Sequence, residues 1–471
     1  MAEPSQLASF FGELYPYKNR FEAFSSIPER GRNPLDIYSE LQTIAAEEDK
    51  FWETGLISGT MYHGGKEHYA FLNKVFSLFS YVNLLQRDIC PSGTKFESEI
   101  VAMVANLLHG DAVKKFNPQD EVCGTVTSGG TESIYNGVYI HREWGREEKG
   151  IIEPEMVVPV TIHPAFFKAA HYLGIKMISV PVDENFEADV EAMRARITPN
   201  TVALAGSAAN YPYGVIDPLE KLSDLALEHK IGFHVDGCLG GFILPWIEKL
   251  GYDLPPFDFR LPGVTSMSCD THKYGYALKG TSTLLVRSHK LLRYQFFSVA
   301  DWPGGLYASP TVQGSRSGGL SAATWAAMVT MGEEGYLRAA RLIMNTADKI
   351  RQGIAGIPEI KIAGKSTFLI SLISDQVNMY HVNDYLISRG WRMNGCQNPP
   401  GFHFCVTLRN TLPGVAEAFV EDLRAGVAYA KDPSQPFPKS GALYGLASNV
   451  DGQAFLNQGM LDFIEATYNE I

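Results

Sequence analysis

Between about residue 95 and residue 300, short apolar runs alternate with amphipathic segments, and this alternation limits the folds that the chain can adopt. Parallel strands joined by crossover helices produce such a pattern, so it predicts an α/β, doubly wound, mainly parallel sheet. The connecting segments, such as residues 164–174 and 218–230, have apolar residues spaced by three and four, as helices packed on a sheet require. Seven runs are candidate strands: residues 122–127, 155–160, 176–182, 201–207, 231–236, 264–269 and 282–287.

The length of the chain and the change of pattern along it predict three parts. A chain of 471 residues is too long for one compact core. Residues 1–90 read as helical and aromatic-rich, so we expect an N-terminal arm there rather than a domain. Residues 91–335 hold the sheet and form the predicted large domain. After the GSRSGG stretch at 314–319, long helical patterns and two strand-like runs predict a smaller α+β domain over residues 336–471.

Charge and composition argue against several classes of protein. The formal net charge of −12 and the lack of a Lys/Arg block argue against a nucleic-acid partner. The six cysteines show neither C-x-x-C pairs nor metal-ligand spacing, so we expect reduced thiols in a cytoplasmic protein and no metal site. We find no signal-peptide pattern and no apolar run of ~20 residues, so we expect no integral membrane span. The AGKST stretch at 363–367 is not a P-loop, because Glu359 stands where that motif needs glycine.

The segment SGGTES follows the first predicted strand and leads into a helical pattern. Small residues from Ser128 to Thr131 let backbone N–H groups and hydroxyls approach a phosphate at the helix start. Taken alone, the same fragment is more simply explained as a turn with Thr131 as the N-cap. The fragment by itself therefore does not decide between a phosphate site and a turn.

Three further residues stand at the ends of predicted strands, where open α/β sheets bind ligands. Asp236 is either a helix cap or the partner of a buried cation, and His163 is either a polar helix start or a ring that stacks on a heteroaromatic group. Lys273 is either a surface lysine or an amine that forms a bond and loses its charge. In order along the chain, a phosphate cup, a stacking His, an acid and a Lys indicate pyridoxal 5′-phosphate, with Lys273 as its Schiff-base partner.

Longer motifs carry a family resemblance. CDTHKYGYALKGTSTLLV (269–286), the stretch from YQFFSV to GSRSGG (294–319) and SGGTES resemble the sphingosine-1-phosphate lyase family, in the group II decarboxylase branch of fold type I. The resemblance extends from SGTMYHGG at 58–65 to GALYGLASN at 441–449. It implies an aspartate-aminotransferase-like fold and cleavage of a phosphorylated long-chain base to phosphoethanolamine and a fatty aldehyde. It is closer to the bacterial form, which lacks the membrane anchor of the eukaryotic members.

The resemblance implies roles for residues around the cofactor. Lys273 matches the cofactor-bonding lysine, His272 the histidine before it, and Asp236 the partner of the ring nitrogen. Ser315 matches a residue that the neighbouring subunit offers to the cofactor phosphate, which implies a homodimer with shared active sites. The residues that we expect to bind the cofactor are Ser128, Gly129, Gly130, Thr131, His163, His234, Asp236, Lys273 and Ser315.

The resemblance also implies a substrate pocket. Tyr62, Lys279 and Tyr444 match pocket residues, and a lysine cation beside a phenol is a reasonable clamp for the substrate phosphate. With Lys273 and His272, we expect Lys279 and Tyr62 to be catalytic.

One motif departs from the family. The family commonly reads N-P-L-H-P-D where this chain has NLLQRD, so Asn83 is kept while Gln86 and Arg87 replace the His and the second Pro. We hypothesise that Gln86 or Arg87 takes over an anion contact, or that the substrate is a different anionic amine.

Two other functions remain open from the sequence. An amino-acid decarboxylase on the same scaffold would cleave the bond to a carboxylate, and motifs barely report which bond a pocket aligns for cleavage. A protein that binds pyridoxal phosphate without turnover would need the same cofactor residues. The Tyr-Gly-Tyr continuation to Lys279, together with Tyr62, favours the lyase.

Overall fold

The computed structural model describes residues 16–17, 20–441 and 450–469, and a seven-stranded sheet lies at its centre. The strands are β1 (Cys123–Thr127), β2 (Glu155–Pro159), β3 (Lys176–Val180), β4 (Thr201–Ser207), β5 (Gly232–Asp236), β6 (Ser266–Cys269) and β7 (Ser282–Val286). Their order is β1-β7-β6-β5-β4-β2-β3, with β7 antiparallel to both of its neighbours and the other pairs parallel. The predicted seven-stranded, mainly parallel sheet is therefore confirmed.

Helices cover the sheet, which explains why its inner strands are buried along their whole length. Every residue of β2, β4, β5, β6 and β7 is buried, whereas the edge strand β3 exposes Lys176 and Ser179. The helices of this part are α1 (Pro34–Trp52), α2 (Lys66–Leu78), α3 (Ser92–Leu107), α4 (Gly130–Lys149), α5 (Ala165–Leu173), α6 (Val190–Arg194), α7 (Leu219–His229), α8 (Leu244–Lys249) and α9 (His289–Leu292).

The carboxyl ends of the parallel strands meet at one edge of the sheet. Because β7 is antiparallel to both β1 and β6, strand β1 points the same way as β6. The residues that follow β1, β2, β5 and β6 therefore lie at the same edge, and these are the segments of the SGGTES motif, His163, Asp236 and Lys273.

The C-terminal part forms a second, antiparallel sheet. Its strands are β10 (Lys361–Ile362), β11 (Leu369–Ile373), β12 (Asn394–Cys396) and β13 (Gly401–Cys405), in the order β10-β11-β13-β12. Two helices, α11 (Met379–Ser388) and α12 (Val415–Ala430), belong to this part, and α13 (Val450–Asn469) follows. The combination of helices and strands predicted from the sequence is present here.

One long helix joins the two parts. Helix α10 (Gly318–Ile354) runs across the predicted boundary at 335/336, and it is kinked at Gly332, where φ is 56° and ψ is 177°. The division of the chain at residues 90 and 335 stays a prediction.

Two peripheral segments expose much apolar surface. Helix α1 has no buried residue, and a hairpin of β8 (Phe297–Val299) and β9 (Tyr307–Ser309) stands outside both sheets. Among the described helices, none is both long enough and apolar enough to span a membrane.

Candidate active site

Asp236 is the last residue of β5 and is 7% exposed. Its Oδ1 accepts hydrogen bonds from the backbone N–H of Cys238 (3.0 Å) and from Oγ of Ser268 (3.2 Å). Its Oδ2 has no hydrogen-bond partner in the described part of the chain. The following helix α8 has Ile243 as its N-cap, so the alternative in which Asp236 caps that helix is wrong. One carboxylate oxygen of Asp236 is thus anchored and the other is available to a ligand.

His234 lies behind Asp236 rather than beside it. Its Nε2 is 3.2 Å from Oγ of Ser268, and its Nδ1 is 2.8 Å from Oγ of Ser266. Burial lowers the pKa of His234 to about 3, so the ring is neutral. Because Oγ of Ser268 donates to Asp236, it accepts from His234, and Nδ1 then accepts from Ser266. His234 therefore reaches Asp236 through Ser268, a link that the sequence did not reveal.

Lys273 follows β6 and forms an ion pair that sequence reasoning missed. Its Nζ is 3.0 Å from Oδ2 of Asp270, whose side chain is 2% exposed. Burial, the largest single influence, would lower the pKa of Lys273, but the neighbouring groups together raise it, Asp270 most of all. The signal in the sequence was an acidic residue three positions before the lysine, in the turn after a buried strand. Lys273 is therefore not a surface lysine.

The SGGTES segment begins α4, with Gly129 as the N-cap. The alternative in which Thr131 caps the helix is wrong, because Thr131 lies inside the first turn. The backbone N–H and the hydroxyl of Ser128 donate to the carboxylate of Glu132 at 2.7 and 2.6 Å, so that hydroxyl is already engaged. The first N–H groups of a helix have no partner within the helix, and they point out of its N-terminus.

Gly130 brings this helix start against the lysine turn. A Cβ at position 130 would lie 2.8 Å from both carboxylate oxygens of Asp270 and from Sγ of Cys238. A Cβ on Gly129 would lie 3.5 Å from Cε1 of His272. Nδ1 of His272 accepts from the backbone N–H of Thr281 at 3.3 Å, and burial lowers its pKa. The glycines thus allow the start of α4 to lie directly beside Asp270 and His272.

His163 completes this side of the site. Its Nδ1 accepts from the backbone N–H of Ala165 at 3.1 Å, and burial lowers its pKa despite the nearby charge of Asp236. Its ring is 6.4 Å from the ring of Tyr211, which in turn is 4.7 Å from His403 of β13. Tyr211 follows β4 at the same sheet edge, and sequence reasoning overlooked it.

Tyr62 and Lys279 lie together, as predicted for the substrate side. Nζ of Lys279 is 5.0 Å from the centre of the Tyr62 ring and donates to the backbone oxygen of Thr60 at 3.2 Å. Lys279 forms no ion pair with any described residue. Burial, with a further contribution from the charge of Lys273, lowers the pKa of Lys279 to about 8. The hydroxyl of Tyr62 is 3.8 Å from Sγ of Cys405, so the small sheet also contributes to this pocket.

Asn83, Gln86, Arg87 and Ser315 form a separate cluster. Nδ2 of Asn83 donates to Oγ of Ser315 at 3.0 Å, and the backbone N–H of Gln86 donates to the oxygen of Asn83. Arg87 is not a free cation, because it pairs with the buried Glu97. In the described residues, no hydrogen bond or ion pair joins this cluster to Lys273 of the same chain.

Tyr444 lies outside the described residues. In the parts of the chain that the structure describes, no group of three or more His, Cys, Asp or Glu side chains could hold a metal ion.

Comparison with known proteins identifies the family. Residues 25–370 match the pyridoxal-dependent decarboxylase conserved domain. Sphingosine-1-phosphate lyase of Dictyostelium discoideum is 43% identical over 446 residues, which cover 94% of this chain and 82% of that protein. The structure of a sphingosine-1-phosphate lyase from Burkholderia pseudomallei is 51% identical with a TM-score of 0.87, covering 88% of this chain and 95% of that chain. The chain belongs to the sphingosine-1-phosphate lyase family.

The fold of this family member extends to more distant decarboxylases. Glutamate decarboxylase of Lactobacillus brevis is 18% identical with a TM-score of 0.73, covering 91% of this chain and 100% of that chain, and it shows the shared fold only. The predicted type I fold of pyridoxal-phosphate enzymes is confirmed.

The site of this lyase-family member fits pyridoxal phosphate. The available Oδ2 of Asp236 suits a protonated ring nitrogen, and the helix start at Gly130, which has no room for a Cβ, suits a phosphate. Lys273 would bond to the aldehyde carbon, and His163 would face the ring. The serine hydroxyl at 128 and the ring of His234 are engaged elsewhere, and their predicted contacts with the cofactor stay predictions.

Proposed function

We propose that this chain cleaves the C2–C3 bond of sphingosine 1-phosphate, or of a related phosphorylated long-chain base, to give phosphoethanolamine and a fatty aldehyde. The observation that carries the proposal is Lys279, a solvent-accessible cation without a carboxylate partner among the described residues, 5.0 Å from the Tyr62 ring. A phosphate group on the substrate would supply the missing anion. The names of the relatives support the same substrate class.

The chain's own side chains would divide the chemistry. Pyridoxal phosphate, when bound, supplies an electron sink for the bond that breaks. Asp236 would keep the ring nitrogen protonated, and Lys279 with Tyr62 would orient the substrate by its phosphate. Overall, the C3 hydroxyl loses a proton as the C2–C3 bond breaks, and C2 gains a proton. Lys273, His272 and a phosphate oxygen are the candidates for the group that moves the proton.

The test is product analysis with the purified, pyridoxal-phosphate-loaded protein. Incubation with sphingosine 1-phosphate and with dihydrosphingosine 1-phosphate should give phosphoethanolamine and a long-chain aldehyde in equal amounts. A Lys273→Ala variant should give neither product. Release of CO₂ from amino acids without aldehyde from either lipid would instead establish a decarboxylase, and absence of both products would support a protein that binds the cofactor without turnover.

We further propose a homodimer in which Ser315 of one subunit serves the site of the other. Ser315 lies with Asn83 in a cluster that, in the described residues, forms no hydrogen bond or ion pair with Lys273 of its own chain. Large apolar side chains near this cluster are exposed, and a second copy would cover them: Phe296, Phe297, Trp302, Leu306 and Val312. The six unpaired thiols favour a cytoplasmic location.

A further inference from the structure

Asp270 is a buried carboxylate that neither the sequence motifs nor the proposed reaction assigns. It is the first residue after β6 and is 2% exposed. Its Oδ2 lies 3.0 Å from Nζ of Lys273 and 3.6 Å from Nε2 of His272. Its Oδ1 is buried and has no hydrogen-bond partner in the described chain. A buried charge is costly unless it is paired, so the Asp270 carboxylate and the Lys273 amine stabilise each other's charged forms.

Other charged and titratable groups surround Lys273, but none replaces Asp270. These groups belong to four parts of the chain. They are Asp236 and Cys238 at the end of β5, Cys269, His272 and Lys279 between β6 and β7, His163 after β2, and Cys405 of β13. Burial lowers the pKa of Lys273, and Asp270 is the largest of the influences that raise it. Cys238 and Asp236 act in the same direction but more weakly. Without Asp270, burial and the nearby Lys279 would favour the neutral amine.

We propose that Asp270 is the counter-ion that holds Nζ of Lys273 as an ammonium whenever Lys273 is not bonded to the cofactor. An amine attacks an aldehyde carbon only through a free lone pair, so the ammonium must first release a proton, and the aldehyde oxygen then leaves as water. Asp270 therefore slows the formation of a new bond between Lys273 and the aldehyde carbon of the cofactor, and it keeps a proton donor fixed at the site. This inference rests on the role proposed for Lys273, and it does not depend on the identity of the substrate.

The test uses the full-length, cofactor-free protein, so it needs no turnover. Trace acetylation with acetic anhydride between pH 6 and 11, followed by peptide mass spectrometry, gives a titration midpoint for each lysine. The side chain of Lys273 is 24% exposed, so a small reagent can reach it. Lys74 is exposed on α2 and forms no ion pair with a described residue, which makes it the internal reference. Lys273 should titrate at a higher pH than Lys74.

An Asp270→Asn variant should lower the Lys273 midpoint to that of Lys74 or below, so that labelling at pH 8 rises by about tenfold or more. The Asp236→Asn variant should give a smaller shift in the same direction. Asp217→Asn, which removes a buried carboxylate bonded to the N–H groups of Ala188 and Ser207, should leave the midpoint unchanged. An unchanged midpoint in Asp270→Asn would overturn the proposal.

If Asp270→Asn does not fold, the titration of Lys273 in the wild-type protein still tests the proposal. A Lys273 midpoint at or below that of Lys74 contradicts a counter-ion role, and a higher midpoint supports it. The outcome is independent of the proposed function. A protein that fails to cleave phosphorylated long-chain bases can still show the predicted Lys273 titration, and a protein that cleaves them can fail to show it.

Discussion

Two buried carboxylates flank Lys273 and face different partners. Asp270 faces the amine itself, whereas Asp236 has an Oδ2 without a hydrogen-bond partner in the described chain, which would suit a protonated ring nitrogen. The environment of Asp236 is built by its neighbour on β6, because Asp236 and Ser268 are paired in the parallel register of β5 and β6. The charge that the cofactor ring meets therefore depends on a residue of an adjacent strand.

The first residue-scale prediction concerns Ser268. A Ser268→Ala change removes the hydroxyl that donates to Oδ1 of Asp236 at 3.2 Å, and we expect pyridoxal phosphate to bind roughly tenfold more weakly, since hydrogen bonds to charged groups are among the stronger ones. Ser266→Ala is the matched control, because Ser266 is equally buried on β6 but contacts His234 and not Asp236. Affinity is measured by the visible absorbance of the bound cofactor. Equal affinities in the two variants would show that the link to Asp236 has no effect.

The second residue-scale prediction concerns Lys279. Its pKa of about 8 means that the side chain is cationic below that pH and loses its charge above it. Substrate phosphate is a dianion over this range, so the KM for phosphorylated substrate should rise as the pH passes from 7 to 9. Lys279→Met should raise the KM at pH 7 by about tenfold and abolish the rise. Lys74→Met is the control with unchanged kinetics, and a wild-type KM that stays flat to pH 9 would contradict the phosphate role.

At the scale of elements, α3 holds two loops in place through one residue. Glu97 of α3 is 7% exposed and pairs with Arg316, beside Ser315, and with Arg87, on the segment that carries Asn83 and Gln86. It also accepts a hydrogen bond from Ser321 at the start of α10. One buried carboxylate thus positions both segments of the cluster that we expect to face a partner.

The element-scale prediction tests this arrangement. Glu97→Gln leaves the buried guanidinium of Arg316 without a counter-charge, so the free energy of unfolding should fall by about 3 kcal/mol. Glu99→Gln makes the same change on the same helix at a half-exposed site, where Lys95 and Trp325 are its partners, and should have a smaller effect. Urea unfolding of both variants measures the difference. Similar losses in the two variants would mean that the Glu97 network does not hold these loops.

Much at this scale was predictable, because buried strands and strand ends leave local signals. The strand runs, Asp236, and Lys273 all follow from apolar runs that end in a polar residue. What was not predictable depends on pairing across the fold. Nothing in the order of residues shows that Glu132 engages Ser128, that Glu97 engages Arg87, or that Ser268 links His234 to Asp236.

At the scale of the whole molecule, the site draws on distant parts of the chain. Tyr62 from the N-terminal part, Tyr274 next to Lys273 and Cys405 from the small sheet meet. The hydroxyl of Tyr274 also donates to the backbone oxygen of Val406 at 2.8 Å. The Ser315 cluster shares no bond with this group within the described chain. A complete site is therefore expected only in the assembled dimer.

The whole-molecule prediction is complementation between two inactive variants. Lys273→Ala removes the bonding amine, and Ser315→Glu places a negative charge where we expect the cofactor phosphate of the partner's site. A mixed dimer of the two variants has one site with Lys273 and Ser315 both intact, if Ser315 acts across the interface. Mixing after reversible dissociation should therefore restore activity toward one quarter of the wild-type value, as random pairing requires. Activity that never exceeds that of the separate variants would place Ser315 in its own subunit's site.

Helix α10 gives this architecture a mechanical link. It begins just after Ser315, packs along α2 and ends against α12 and β11, so one element connects the loop of Ser315 with the small sheet. Helix α10 has one kink, at Gly332, whose φ of 56° and ψ of 177° are accessible almost only to glycine. Any side chain at position 332 would strain the backbone there or straighten the helix. The angle between the two halves of α10 is therefore set at a single residue that belongs to neither sheet.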